Sequence, residues 1–267
     1  MNRCNKCQCS AIIYQRYSGM HLCREHFEED VHRKIREELR QTGLFGREVR
    51  MAVVLDGSRK SAVIAFILKN LFIRRRDISL LAIIIDEGER EASSADLAAE
   101  VAKQLDIACT VKRMPSSADP KASYAVRSEE KKQMLYRAAK ENQAGILVTG
   151  QTLEDEALEI FMSLLQGEAD AIMPESSEDG EQTVAWIKPL RRIPEREVRL
   201  YALGRHLGFY DADEISGREA LRRKAKKMLC EFDCRHPGTC YSLLRCMEKI
   251  RHVKELTGAK PLSKDGK

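Results

Sequence analysis

Cys4-Asn-Lys-Cys7 and Cys23-Arg-Glu-His26 give the chain two ligand pairs, each with two residues between its members. Tetrahedral zinc takes four thiolate or imidazole ligands at about 2.0–2.3 Å, and pairs at this spacing can turn around one ion. With all four positions filled by protein, the site would be closed, and therefore structural rather than catalytic. Cys9 can stand in for Cys7, although Cys4 and Cys7 have the better spacing. From His26 to Thr42, Phe27, Val31, Ile35 and Leu39 recur every four residues, which predicts an amphipathic helix stopped at Gly43. The knuckle would pin that helix or present a surface to a partner. Of the nine cysteines, Cys109 stands alone, while Cys230, Cys234, Cys240 and Cys246 crowd a late segment without any Cys-x-x-Cys pair. These read as small buried hydrophobes.

A second chemistry lies in Asp56-Gly57-Ser58-Arg59-Lys60-Ser61, between apolar Met51–Leu55 and a helical stretch from Ser61 to Leu71. A buried strand, a Gly/Ser turn and a helix point backbone N–H groups at an anion. Asp86-Glu87-Gly88 and Thr149-Gly150-Gln151 also follow apolar runs, Ile78–Ile85 and Gly145–Thr149. In an open parallel sheet those carboxyl ends form the ligand crevice. Helices over Ala95–Leu105, Glu130–Asn142 and Leu153–Leu165 alternate with these runs, a weaker strand covers Ile107–Val111, and Val184–Ile187 can add one more. Near-continuous apolar strands alternating with helices predict an α/β fold: a doubly wound parallel sheet covered on both faces. The acidic stretch Gly167–Glu181 reads as a loop. After Pro194 the pattern is helical, over Glu195–Leu207, Ser216–Phe232 and Tyr241–Leu256, and the end of the chain reads as a tail.

Several short blocks occur in an order that is more specific than any one of them. They are the Cys/His knuckle, Gly43-Leu-Phe45, Ile85-Asp-Glu-Gly88, Thr149-Gly150 with Asp155-Glu-Ala157, Lys188-Pro-Leu190, Pro194-Glu-Arg-Glu-Val198, and His236-Pro-Gly-Thr239 followed by Tyr241-Ser-Leu-Leu244. In these, the chain from Met1 to about Ile250 resembles the tRNA 2-thiouridine synthetase branch of the N-type ATP pyrophosphatases, the PP-loop proteins. The resemblance implies a Rossmann-like sheet of the adenine nucleotide α-hydrolase type. It also implies ATP with Mg2+ on the loop, adenylation of a tRNA uridine carbonyl, and replacement of the oxygen by sulfur. It places Asp56, Gly57, Ser58, Arg59, Lys60, Ser61, Asp86, Gly150, Gln151 and Asp155 at the nucleotide, and Cys4, Cys7, Cys23 and His26 at the structural zinc.

Departures fall on the chemistry. Where the family loop reads Ser-Gly-Gly-Lys-Asp-Ser, Gly57 and Ser61 survive and Arg59 keeps a positive charge. Asp56 puts a carboxylate near the expected polyphosphate, and Lys60 replaces an acidic residue that would organise the loop or the magnesium. Arg59 and Lys60 together could still hold an anion. The family's histidine after Thr-Gly is Gln151. The resemblance sets three cysteines near the site, often around an iron–sulfur cluster, at Tyr124, Arg127 and Asp213; none of these side chains is a thiol. The expectation is therefore that sulfur transfer by the usual route is lost and that no iron–sulfur cluster forms. No second Cys-rich finger follows Cys246.

Arg222, Arg223, Lys224, Lys226 and Lys227 make a cationic helix segment, and Arg74-Arg-Arg76, Lys131-Lys132 and Arg191-Arg192 add further clusters. Such surfaces bind phosphate backbones by counterion release, and equally serve as solvated faces; the resemblance favours tRNA. Tyr136 and Tyr201 read as core aromatics. The 267 residues carry 46 Lys and Arg against 41 Asp and Glu, a net charge of +5, with 43% apolar and 33% charged residues. That excludes wholesale disorder, and the apolar runs are too short for a membrane span. With no secretory signal and cysteines suited to metal, a cytoplasmic protein is expected. The division expected is 1–26 knuckle, 27–46 connecting helix, 47–194 PP-loop domain, 195–256 helical region and 257–267 tail. Two functional readings stand side by side, with a different PP-loop reaction on another substrate, using Arg59, Lys60 and Asp86, as a third. One is a divergent thiolation-type protein that binds nucleotide and tRNA with impaired activity. The other is a non-enzymatic pseudoenzyme that acts as a tRNA-binding or regulatory partner of an active paralogue. A sulfur-carrier partner and a homodimer are compatible with either.

Overall fold

The computed structural model describes residues 2–44, 48–88, 94–114, 124–167, 184–207 and 220–257. Phe45, Asp213, the acidic stretch beyond Gly167 and the tail after Thr257 lie outside the described residues.

Five parallel strands form the central sheet. They are β3 (Val49–Leu55), β4 (Ile78–Asp86), β5 (Ala108–Arg113), β6 (Ile146–Val148) and β7 (Ala185–Ile187), in the order β5-β4-β3-β6-β7. Met51 to Leu55 are all buried, because β3 is covered on both faces and has no solvent side to alternate with. One face packs Met51, Val53 and Leu55 against α1 (Arg24–Gln41), α2 (Arg59–Phe72), α3 (Ser94–Gln104) and α6 (Glu195–Gly204). The other sets Ala52 and Val54 beside Leu135, Ala138 and Ala139 of α4 (Tyr124–Glu141). The doubly wound α/β class read from the sequence is what forms.

A third layer joins α5 (Leu153–Gln166), α7 (Ala220–Arg235) and α8 (Thr239–Thr257) through Leu153, Ala157, Ala225, Leu229, Cys240 and Leu244. Of the late cysteines only Cys240 is buried; Cys230, Cys234 and Cys246 are exposed, as is Cys109 on the edge strand β5. The expectation that the late group fills core space is corrected, since the apolar faces of α7 and α8 are carried by Ala225, Leu229, Leu244 and Met247 instead.

Before the sheet, β1 (Ile13–Gln15) and β2 (Met20–Leu22) pair antiparallel, with Ile13 opposite Leu22. Gly19 closes the turn at φ +70°, its N–H donating to Gln15 O at 2.8 Å. The knuckle is anchored to distant helices through this turn. Tyr17 donates to Glu197 Oε1 of α6 at 2.9 Å, and Lys34 of α1 donates to Tyr17 Oη at 2.6 Å. Lys34 also pairs with Asp30 at 2.8 Å and with Glu197 at 3.5 Å, and Tyr17 packs its ring 4.7 Å from that of Tyr241 in α8. Glu197 is fully buried, and burial raises its carboxyl above the usual range even though Lys34 opposes the rise. Burial also acts on Asp30, but Lys34, Gln15 and Arg33 outweigh it and hold the carboxyl at about 2.

Removing one partner of a buried pair leaves the other charged and unsolvated. Lys34→Met is expected to cost about 3–5 kcal/mol in urea unfolding, and adding Glu197→Gln should recover part of that loss. A double-variant loss equal to the sum of the two single-variant losses would show that the network carries no coupled energy.

Candidate nucleotide crevice and metal centre

In the order β5-β4-β3-β6-β7 the chain leaves β3 to build one flank and returns at β6 to build the other. The loops after β3 and β6 therefore splay apart, leaving a crevice at the carboxyl ends of adjacent strands. After β3, Asp56 Oδ1 accepts the Ser58 N–H at 3.0 Å. Ser58 caps α2, its Oγ accepting the Ser61 N–H at 3.3 Å, while Ser61 Oγ donates to Ser58 O at 2.9 Å. Gly57 has φ +79°, and a Cβ there would lie 2.5 Å from Ser94 O, so only glycine fits. Gly150, after β6, lies against the first turn of α2: a Cβ on it would come within 2.8 Å of Lys60 C and 2.9 Å of Ser61 N.

Across that contact, Lys60 Nζ reaches both oxygens of Asp155, at 3.2 and 3.0 Å. Asp155 is the third residue of α5, and its Oδ2 also accepts from Thr152 N and Oγ, each at 2.9 Å. Burial would raise this carboxyl, but Lys60 and Thr152 outweigh it and hold it below its ordinary value. The sequence reading let Arg59 and Lys60 hold an anion together. The structure corrects it: the Lys60 ammonium faces Asp155, with only 11% of its side chain exposed. Thr152-x-x-Asp155 was the legible signal for that capping carboxylate. Asp86, at the end of neighbouring β4, accepts the Gly88 N–H at 2.9 Å and lies 3.8 Å from Arg113. Gln151 accepts from Thr149 Oγ at 3.3 Å. The backbone cradle of an anion site is thus present, while Asp155 already has a cation and does not fit a divalent metal.

In the knuckle, the ligand atoms of Cys4, Cys7, Cys23 and His26 all lie within 4.8 Å of one another. Cys7 and Cys23 sulfurs are 3.7 Å apart, and His26 Nδ1 is 3.5 and 3.3 Å from Cys4 and Cys23. Cys23 caps the N-terminus of α1, so the first turn of that helix swings His26 back over the thiols. Burial raises the Cys4 thiol, but backbone N–H donors including Lys6 outweigh it and bring it to about 6. Three thiols and an imidazole form a donor set for a soft or borderline metal. Cys9 is exposed and outside this group.

The basic residues meet different fates. Arg191 and Arg192 are bound to Glu248 at 2.6 and 2.7 Å and face Glu38, so they brace α1 and α8 rather than forming a free cationic patch. Arg75 pairs with Asp77, and Lys131 with Glu87. On α7, Arg222 pairs with Glu159, Lys227 lies 3.8 Å from Glu231, and Arg223, Lys224 and Lys227 are exposed. Tyr201 is buried and Tyr136 packs edge-on against Trp186. Arg127 lies on α4, with Tyr124 at its start.

Sequence reasoning missed Glu154, beside Asp155. Its Oε2 accepts the Glu195 N–H at 2.8 Å and so caps α6. Burial pushes the carboxyl up to about 7 from 4.5, against the pull of that N–H. A carboxyl raised on folding contributes stability at low pH, and loses it as pH rises from about 4.5 through about 7. Glu154→Gln should therefore flatten the urea-derived stability profile across that window, removing a fall of up to about 3 kcal/mol. An unchanged slope would contradict the assignment.

Residues 3–28 match the N-terminal LIM domain of 2-thiouridine synthetase TtuA, and residues 27–227 match the PP-loop domain. The chain is 29% identical to the tRNA 2-thiolation protein NcsA of Haloferax volcanii, covering 94% of this chain and 87% of that one. It is 26% identical to the tRNA-5-methyluridine(54) 2-sulfurtransferase of Pyrococcus horikoshii, covering 95% and 84%. In fold it matches the U34-tRNA thiolase NcsA from Methanococcus maripaludis with a TM-score of 0.84 at 23% identity, over 94% of this chain and 89% of that one. That structure carries a 4Fe–4S cluster, which overturns the expectation that set an iron–sulfur cluster aside. The clustered thiols of Cys4, Cys7 and Cys23 are donors of the chemistry such a cluster uses. By sequence match and by fold, the chain belongs to the PP-loop tRNA 2-thiolation family of the TtuA/NcsA type.

Proposed function

We propose that the chain binds an adenine nucleotide in the β3/β6 crevice and tRNA on its cationic α7 side, with its own sulfur transfer impaired. One observation carries the reading: the loop keeps the shape of an anion cradle, through Gly57 and Gly150, while its charged side chains differ from the family pattern. Tyr124, Arg127 and Asp213, which the resemblance aligns with cysteines, offer no thiolate to carry sulfur. The residues that would hold the nucleotide are Gly57, Ser58, Arg59 and Ser61 from the β3 loop, with Gly150 and Gln151 from the β6 loop. The α2 N-terminus would supply N–H groups to the phosphates, and Arg59 positive charge. A bound nucleotide would supply the activating group for a uridine oxygen. What this chain contributes is orientation of the phosphates and exclusion of a side chain at Gly57 and Gly150.

The tRNA assignment is supported by the family and by α7, where six Lys and Arg stand against two carboxylates. Cys4, Cys7, Cys23 and His26 would hold a metal centre that fixes the knuckle on α1. Its identity is read directly by elemental analysis for zinc and iron. A cytoplasmic setting is supported by a Caenorhabditis briggsae relative, cytoplasmic tRNA 2-thiolation protein 1, 27% identical. Among the described residues no helix is long and apolar enough to cross a membrane.

A second reading, a non-enzymatic partner of an active thiolation enzyme, is favoured by a specific contact. The Asp56 carboxylate already occupies the Ser58 N–H, which a phosphate would have to recover.

Calorimetry with ATP and filter binding with tRNA separate the two. The first reading expects saturable ATP binding at or below millimolar concentration and tRNA affinity that falls steeply with salt. Combined Lys224→Glu, Lys226→Glu and Lys227→Glu should weaken tRNA at least tenfold and reduce the salt slope. Binding of tRNA without ATP would favour the partner reading, and binding of neither would overturn both.

A further inference from the structure

The Lys60–Asp155 pair is built into the crevice rather than laid over it. Lys60 sits in the first turn of α2, beneath the Gly150 backbone, and 11% of its side chain is exposed against 21% for Asp155. Its ammonium lies 3.2 and 3.0 Å from the two carboxylate oxygens, the chelating sector of that group. The remaining capacity of Oδ2 is taken by Thr152 N and Oγ at 2.9 Å. Magnesium needs oxygen ligands at about 2.0–2.1 Å in near-octahedral array, and it carries two charges that the ammonium repels at this range. Asp56 and Asp86 are each tied by one oxygen to their own loop, at Ser58 N and Gly88 N, and the second oxygen of Asp86 faces Arg113 at 3.8 Å.

We propose that Lys60 is the resident cation of this crevice: it occupies the carboxylate that a divalent ion would need, so the site excludes Mg2+ and Mn2+ and binds nucleotide phosphates without them. The second half of this rests on the nucleotide reading above; the first half does not. Lys60 thereby makes phosphate binding in the crevice independent of a divalent ion.

The direct test is Mn2+ binding, followed by electron paramagnetic resonance on the full chain without nucleotide. The soft thiolate knuckle is a poor competitor for manganese. The wild-type chain is expected to show no Mn2+ site at concentrations up to 1 mM, on the order of the weakest sites protein carboxylates form. Lys60→Asp, which sets a second carboxylate opposite Asp155, should gain a site at least tenfold tighter, and adding Asp155→Asn should abolish it. A wild-type Mn2+ site that Asp155→Asn removes would overturn the proposal, and this arm needs no folded Lys60 variant. In the nucleotide arm, a fluorescent ATP analogue should bind with the same Kd, within about twofold, in Mg2+ and in EDTA. A tenfold loss in EDTA would overturn the proposal. Absence of nucleotide binding in both buffers would instead overturn the nucleotide reading, and the Mn2+ arm would still decide the role of Lys60.

Discussion

The loop leaving β6 and the first turn of α2 meet at the crevice at a distance that no side chain permits. Gly150, leaving β6, touches the backbone of Lys60 and Ser61, and a single added carbon would fall 2.8 Å from Lys60 C. That approach lets the loops of the two sheet halves share one mouth, and it brings the Lys60 side chain onto the cap of α5. The rest follows from it. Asp155 completes the first turn of α5, and α5 carries the α7–α8 layer.

Charge is distributed to hold segments far apart in sequence. Lys60 and Asp155 are 95 residues apart, and Lys34 and Glu197 are 163 apart. The first pair joins the two halves of the sheet, and the second joins the knuckle turn and α1 to α6. Lys188 adds a bond to Glu156 at 2.6 Å, while Arg191 and Arg192 reach Glu38 and Glu248. The segment after β7 is therefore a junction between α1, α5 and α8 rather than a basic surface. Paired burial of this kind adds little net energy but penalises the loss of either partner.

Much of the fold was legible because apolar spacing reports directly on which faces are covered. Phe27, Val31, Ile35 and Leu39 gave α1, and the unbroken run Met51–Leu55 gave a strand buried on both sides. The β1–β2 hairpin was not legible, since three-residue strands hold too few positions for a period and one of them buries Gln15 against Asp30. α4 begins at Tyr124, six residues before the expected start, because Arg127-Ser-Glu-Glu-Lys-Lys132 is helical without an apolar stripe. In the candidate site, spacing alone placed the four knuckle ligands together. The pairing of Lys60 with Asp155 was not visible, because it depends on which strands become neighbours and not on any local pattern.

The family's scaffold is thus retained while the charges in its crevice answer one another. Membership in the tRNA 2-thiolation family fixes the expected substrate class, and the proposed loss of sulfur transfer turns on the sequence having Tyr124, Arg127 and Asp213 where the resemblance sets cysteines. The most direct measurement is sulfur incorporation: purified chain, tRNA, ATP and sulfide, followed by mass spectrometry of the digested nucleosides. The account predicts tRNA recovered unthiolated, with the protein stably bound to it. Accumulation of 2-thiouridine over successive turnovers would contradict it.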